Sequence, residues 1–328
     1  MNIMFLGEKY MENIAVLTSG GDSPGMNACI RAVVRCGIAS GLHVFGVRRG
    51  YAGLMEDDII PLNERSVGNI IQLGGTFLKT ARCKEFLTKE GVDKAVETLR
   101  KHNIDGLVVI GGDGTFRGAN ELIKRGIKCA CIPATIDNNL FYTDYTIGYD
   151  TATNTVVNLI NNFRDTSLSH DRVSIIEVMG AGCGDIALCA GLAAGADVII
   201  VPEIKLDIDS ICEKLTKARE HGKEGSIVLL SERVCDINKL ADIIHQRCGV
   251  ECRTAILGHL QRGGSPSAFD RNLASRSGSI AVEKLRYEES GVVGYKAGQY
   301  IYVSIEEALV AKQIFDIGGY QLAQRLSF

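Results

Sequence analysis

Leu107-Val108-Val109-Ile110-Gly111-Gly112-Asp113-Gly114-Thr115 runs four apolar residues straight into a glycine cluster that carries one carboxylate. With no polar alternation, the run reads as a strand covered on both faces in a parallel sheet, which makes the fold class α/β. The glycines leave no Cβ between the backbone amides and a docked group. The turn can therefore cradle phosphate oxygens, and Asp113 can hold a magnesium ion that bridges them. The substrate expected there is a nucleoside polyphosphate. The same residues also make an ordinary tight turn, so the phosphate reading needs a second feature.

Ile14-Ala15-Val16-Leu17-Thr18 supplies it, as another short apolar strand that feeds Ser19-Gly20-Gly21-Asp22-Ser23-Pro24-Gly25. Met26, Ile30, Val33, Val34 and Ile38 then recur at helical spacing. This loop thus meets a helix N-terminus, whose orphan amides and dipole favour anions. Neither loop reads Gly-x-x-x-x-Gly-Lys-Ser/Thr or Gly-x-Gly-x-x-Gly, which excludes a Walker loop and a dinucleotide fingerprint.

The chain has 328 residues, 46% of them hydrophobic and 23% charged, with a formal net charge of −3. That length suffices for two domains, and the charge points to neither nucleic acid nor a membrane surface. Eleven cysteines, an odd number with no Cys-x-x-Cys and no signal peptide before them, fit a reducing, cytoplasmic setting. Cys129 and Cys131 alternate along a strand, and Cys248 and Cys252 stand one helical turn apart. Without a histidine at zinc-like spacing, both pairs read as small buried hydrophobes. No apolar run reaches the ~18 residues of a membrane span. Residues 1–10, which precede a second methionine at Met11, lack a cationic start and a long apolar stretch and are expected to be a short extension or an over-called start, without chemistry.

Strand-like segments at 14–18, 43–47, 107–110, 129–133, 173–178, 198–201 and 226–231 alternate with helical patterns at 26–39, 92–102, 116–125, 151–163 and 208–221. This is the order of βαβ units around a mostly parallel sheet. Right-handed crossovers place ligands beyond the carboxyl ends of the strands, where both glycine loops fall. A soft boundary lies near residue 148. Beyond it the strand-then-glycine design returns at Gly180-Ala181-Gly182-Cys183-Gly184-Asp185 and at His259-Leu260-Gln261-Arg262-Gly263-Gly264. The pattern predicts two Rossmann-like three-layer α/β/α domains with an active-site cleft between them.

After the strand ending at Pro133 comes Ala134-Thr135-Ile136-Asp137-Asn138-Asn139. A carboxylate at a strand end beside a magnesium–nucleotide site is well placed to take a proton from a hydroxyl; an Asp before Asn-Asn is also a common turn cap. Taken in order, Thr18-Ser19-Gly20-Gly21-Asp22, Gly111-Gly112-Asp113-Gly114-Thr115, Thr135-Ile136-Asp137-Asn138, Asp144-Tyr145-Thr146-Ile147-Gly148, Glu177-Val178-Met179-Gly180 and Gly258-His259-Leu260-Gln261-Arg262-Gly263-Gly264 make the chain resemble the bacterial ATP-dependent 6-phosphofructokinases from about residue 13 to its C-terminus. Gly-Gly-Asp-Gly alone is also found in NAD and diacylglycerol kinases, but the motifs of the second half have no place there.

The resemblance implies transfer of the γ-phosphoryl of ATP to the 1-hydroxyl of fructose 6-phosphate. It implies a larger ATP-binding domain over 1–148 plus about 261–310, and a smaller sugar-phosphate domain over 149–260 plus about 311–328. By similarity Asp137 is the base, with Thr135 beside it, and Asp113 holds Mg2+. Gly21, Tyr51, Arg82, Cys83, Gly112, Asp113, Gly114 and Thr115 line the ATP site. Thr135, Asp137, Met179, Gly180 and Glu232 contact the sugar, while Arg172, Arg253, His259 and Arg262 meet its phosphate, as guanidinium forks suit a phosphate dianion. In the family, Arg172 and Arg253 reach across from a neighbouring subunit of a homotetramer. Pyrophosphate-dependent relatives carry aspartate at the position of Gly114 and lysine at that of Ala134, so two small neutral residues point to ATP. Arg31, Arg35, Arg164, Asp197 and Lys223 match an effector site for ADP or phosphoenolpyruvate, although Glu64, His221 and Gly225 stand at usually basic positions.

Two departures touch the active site. Asn139 replaces the last aspartate of the family's Thr-Ile-Asp-Asn-Asp motif, and Ala181 replaces the arginine that usually follows Met-Gly. One carboxylate near the metal and one cation near the transferring phosphoryl group are lost together. A second function follows from that loss: a catalytically weakened paralogue serving as a regulatory or structural partner subunit.

Overall fold

The computed structural model describes residues 11–327; the expectation for residues 1–10 lies outside them. In chain order the first part runs β1 (Asn13–Thr18), α1 (Met26–Ala39), β2 (His43–Val47), α2 (Gly50–Met55), β3 (Ile59–Leu62), α3 (Lys89–Lys101), β4 (Gly106–Gly111), α4 (Asp113–Ile123) and β5 (Lys128–Pro133). It continues through α5 (Tyr149–His170), β6 (Val173–Val178), α6 (Asp185–Ala194), β7 (Val198–Ile200), α7 (Ile208–Glu220), β8 (Ser226–Ser231), α8 (Ile237–Cys248) and β9 (Cys252–Ile256). The last part is α9 (Ala268–Arg286), β10 (Gly291–Lys296), β11 (Gln299–Val303), α10 (Ile305–Val310) and α11 (Ile317–Leu326).

Two compact units result. The first comprises residues 11–135, 142–147 and 265–311, and the second 136–141, 148–264 and 312–327. Residues 136–141 cluster with the second unit, whereas the sequence reading puts them in the first.

Among the described residues, unit 1 carries a seven-stranded sheet ordered β11-β10-β5-β4-β1-β2-β3. Its interior pairs are parallel, and β3 and β11 close the two edges antiparallel. Val108 and Ile110 of β4 join the core under α1 and α9, while Leu107 and Val109 are equally buried on the face that α4 covers. The apolar run at 107–110 is therefore covered twice, as its lack of alternation requires.

Unit 2 has a four-stranded parallel sheet ordered β7-β8-β6-β9. Its side chains alternate between two cores. Ile176, Val178, Ile227 and Leu229 pack with residues of α5 and α6, while Val173, Ile175, Val228 and Leu230 pack with residues of α7 and α8. Helices on both faces make this unit a three-layer sandwich. The reading of Cys248 and Cys252 as one helical turn apart fails: Gly249, in the left-handed region at φ 65°, ends α8 at Cys248, and Cys252 opens β9. All eleven cysteines are free thiols, and burial pushes those of Cys29, Cys129 and Cys131 far above the usual range. No helix among the described residues is long and apolar enough to cross a membrane.

Candidate active site

In unit 1 the two glycine loops leave neighbouring parallel strands at the same end, because β1 pairs with β4 with Thr18 opposite Ile110. Ser19 N donates to Ile110 O at 3.0 Å, and Thr115 Oγ1 donates to Ser19 O at 3.0 Å. A Cβ on Gly111 would lie 2.5 Å from both Ser19 O and Thr115 Oγ1, so the close approach demands glycine there. Gly20, at φ 88°, makes the opposite turn, and Thr80 Oγ1 donates to its carbonyl at 2.8 Å.

Helix α4 starts earlier than the apolar periodicity indicates. Gly112 is its N-cap, so Asp113, Gly114 and Thr115 form its first turn. The amides of Asp113 and Gly114 fall among the orphan donors of that turn, which is the anion-binding arrangement expected, while Thr115 N donates to Gly112 O at 3.0 Å. The Asp113 carboxylate is half-exposed and pairs with Arg117 one turn along, at 2.8 Å. A Cβ on Gly114 would meet open space, and one on Gly112 would come 3.8 Å from Thr135 Cβ, which brings Thr135 to this loop. Thr146 Oγ1 donates to Thr135 O at 2.6 Å and fixes that segment.

The remaining predicted nucleotide residues differ in role. Tyr51 is 4% exposed; its hydroxyl donates to Thr115 O at 2.6 Å and its ring stacks on Phe86 at 4.0 Å. It supports the glycine turn from below. Gly21 and Arg82 are exposed, and the Cys83 thiol lies 3.8 Å from Met55 Sδ.

In unit 2 Asp137 is 7% exposed, and the next residue holds its loop. Asn138 takes a left-handed φ of 50° and donates through Nδ2 to Asp185 Oδ2 at 3.1 Å. Asp185 opens α6, and burial raises its carboxyl above the usual carboxylate range. The carboxyl ends of β6, β8 and β9 gather the sugar-contact candidates. Met179 and Gly180 follow β6, Glu232 follows β8, and His259 and Arg262 lie on the 3-10 turn Gly258–Arg262 after β9. Glu232 N donates to Val178 O at 2.8 Å, and Glu232 Oε1 accepts from Ala181 N at 2.9 Å. Ala181 sits at φ 52°, a strained position for a residue with a Cβ.

Arg172 and Arg253 are not with this group. Arg172 precedes β6 and Arg253 is the second residue of β9, paired with Ser174, so both stand at the amino ends of the same strands. The six residues of β6 separate them from Met179 by about 20 Å. Within one chain these arginines cannot meet the sugar that Met179 and Glu232 would hold.

The effector candidates divide as well. Arg31 and Arg35 lie on α1 in unit 1. In unit 2 Asp197 is 4% exposed, pairs with Lys223 and accepts from Ile227 N at 2.8 Å, while Arg164 donates to Ala194 O and Gly195 O beside it.

Two residues beyond the sequence reading matter. Gln261, fully buried, accepts from Met179 N at 3.2 Å and donates to Gly258 O at 3.1 Å, so it ties the end of β6 to the 3-10 turn. Its place between His259 and Arg262 was the available signal. Glu251 is the other, and no motif marks it.

The sequence profile of the family described as Phosphofructokinase matches residues 13–285. An ATP-dependent 6-phosphofructokinase from Clostridium botulinum (strain Loch Maree / Type A3) is 54% identical over 318 residues, which cover 97% of this chain and 100% of that protein. The fold is similar to phosphofructokinase from Saccharomyces cerevisiae, at 34% identity and a TM-score of 0.85 over 91% of this chain and 45% of that one. It is likewise similar to Pichia pastoris phosphofructokinase, at 33% identity and a TM-score of 0.87 over 99% of this chain and 40% of that one. This chain spans less than half the length of each yeast chain.

Proposed function

Because the chain belongs to the phosphofructokinase family, we propose that it transfers the γ-phosphoryl of MgATP to the 1-hydroxyl of fructose 6-phosphate, giving fructose 1,6-bisphosphate in glycolysis. The observation that carries this reading is the 54% identity along the whole of a protein named ATP-dependent 6-phosphofructokinase. Its test is product formation by the purified protein with magnesium and either ATP or pyrophosphate.

The orphan amides at the start of α4 and the Ser19–Gly25 loop receive phosphate oxygens, backed by Tyr51 and bordered by Gly21, Arg82 and Cys83. Asp113 fits magnesium, an ion usually held by one or two carboxylates together with nucleotide phosphates. No cage of three or more metal-binding side chains occurs among the described residues, and none is needed for that mode. Held by Asp113, such an ion would supply neutralisation of the charge on the phosphates. Asp137 accepts the proton of the 1-hydroxyl as that hydroxyl's oxygen bonds to the γ-phosphorus and the bond from this phosphorus to the β,γ-bridging oxygen breaks, so that ADP leaves, with Thr135 alongside. Met179, Gly180 and Glu232 hold the sugar, and Arg172, Arg253, His259 and Arg262 hold its phosphate.

Donor choice rests on Gly114. The open space beyond its Cα would admit an aspartate without a clash against the protein, so a carboxylate there would act on the donor, repelling the α-phosphate of ATP. The separation of Arg172 and Arg253 from Met179 supports active sites shared between subunits, as in a homotetramer. Asp197, Lys223, Arg164, Arg31 and Arg35 are the residues assigned to binding of ADP or phosphoenolpyruvate. The cytoplasm suits eleven free thiols.

Asn139 and Ala181 remove opposite charges, and we expect their effects to be coupled. Asn139→Asp and Ala181→Arg should each lower kcat, and the double variant should recover it, with a coupling of about 0.5–3 kcal/mol. Turnover measured for all four proteins checks this; strictly additive effects would sink it.

A further inference from the structure

One carboxylate occupies two of the three arginines assigned to the sugar phosphate, Arg172 and Arg253. Arg172 Nε donates to Glu251 Oε2 at 2.8 Å, and the Arg253 guanidinium lies 2.6 Å from Glu251 Oε1. The sheet enforces this grouping. Strands β6 and β9 run parallel with Val173 opposite Cys252, and Val173 N donates to Glu251 O at 2.9 Å, so Arg172 falls beside Glu251. Arg253 is two residues on from Glu251 and shares its face of the chain.

Each oxygen of Glu251 thus serves one guanidinium, which is how two oxygens of a phosphate would be received. The hydrogen bond from Arg172, then the nearby charges of Arg172, Arg253 and His170, hold its carboxyl below the usual range, so it stays ionised. All three side chains reach solvent, with exposures of 23% for Arg172, 63% for Arg253 and 48% for Glu251. Ion pairs this exposed are weak and exchange readily. A phosphate ester near neutral pH carries about −1.5 to −2 charges and has more acceptor oxygens, so it outcompetes a single carboxylate for the same fork.

We propose that Glu251 is a resident anion that occupies Arg172 and Arg253 until the phosphate of the sugar substrate displaces it, and so sets the affinity for that phosphate. The inference rests on the reading of the two arginines as sugar-phosphate ligands. A carboxylate that only oriented the arginines would have the opposite effect when removed, because the guanidinium groups would lose their alignment.

The test uses Glu251→Gln and Glu251→Ala in the full-length protein, the second lacking any side-chain acceptor. Both should lower the half-saturating concentration of fructose 6-phosphate about threefold or more, with no parallel change for MgATP. Inorganic phosphate, titrated calorimetrically into the unliganded protein, should bind more tightly to both variants, a readout that needs no turnover. Unchanged or weaker binding of sugar phosphate and inorganic phosphate by folded variants overturns the proposal. Arg172→Gln separates the two levels. If it leaves the fructose 6-phosphate dependence unaltered, the arginine assignment has failed and the role of Glu251 fails with it. If it weakens binding while the Glu251 variants do not strengthen it, only the role of Glu251 has failed.

Discussion

Replacing Asp137 by asparagine is expected to lower kcat about a hundredfold to ten-thousandfold, the usual contribution of a positioned general base. Asparagine keeps the size and one acceptor oxygen but cannot take the proton of the 1-hydroxyl. Asp137 is 7% exposed, and Asn138 beside it is anchored to Asp185 at 3.1 Å, so the loop should hold its shape in the variant. The half-saturating concentrations of both substrates should therefore change little, the pattern of an interaction made in the transition state. Steady-state kinetics at saturating MgATP checks this. A loss below tenfold would remove Asp137 from the role of base.

Replacing Arg172 by glutamine should raise the half-saturating concentration of fructose 6-phosphate about tenfold to a hundredfold, because a hydrogen bond between charged groups is lost from the phosphate (about 1.5–3 kcal/mol). The placement of Arg172 at the amino end of β6, opposite Met179 at its carboxyl end, adds a sharper expectation. A chain with Arg172→Gln still carries Asp137, and a chain with Asp137→Asn still carries Arg172. Subunits of the two variants, dissociated and reassembled together, should regain activity that neither has alone at low fructose 6-phosphate. A mixture no more active than the sum of its parts would contradict shared sites.

Much of this was legible in the residues. The apolar runs at 14–18 and 107–110 marked two covered strands, since only burial on both faces explains four apolar residues in a row, and the fold then sets them side by side. The glycines marked where each chain turned. Other elements carried weaker signals. Helix α2 is six residues with two glycines, too short for a periodicity to emerge. The β10–β11 hairpin turns through Ala297 and Gly298, both at positive φ, where Asn-Gly would have announced the turn. Helix α8 is missed by the sequence reading, although Ile237, Leu240, Ala241 and Ile244 recur at helical spacing after Asp236, its cap.

The site was legible by type and not by arrangement. Tyr51 belongs beside the glycine turn, yet its hydroxyl is committed to Thr115 O, a contact between residues 64 apart in sequence. The pairing of Glu251 with Arg172 depends on the parallel register of β6 and β9, which no local pattern encodes. Arg172 and Met179 stand at opposite ends of β6, so residues that the motifs group into one proposed substrate site lie apart in the folded chain.

Phosphoryl transfer from ATP is tested most directly by measuring fructose 1,6-bisphosphate formation by the purified protein with magnesium and fructose 6-phosphate, supplied with either ATP or pyrophosphate. Turnover is expected with ATP and not with pyrophosphate, consistent with Gly114 and Ala134. Turnover with pyrophosphate alone, or none with either donor from folded protein that binds both ligands, would contradict it.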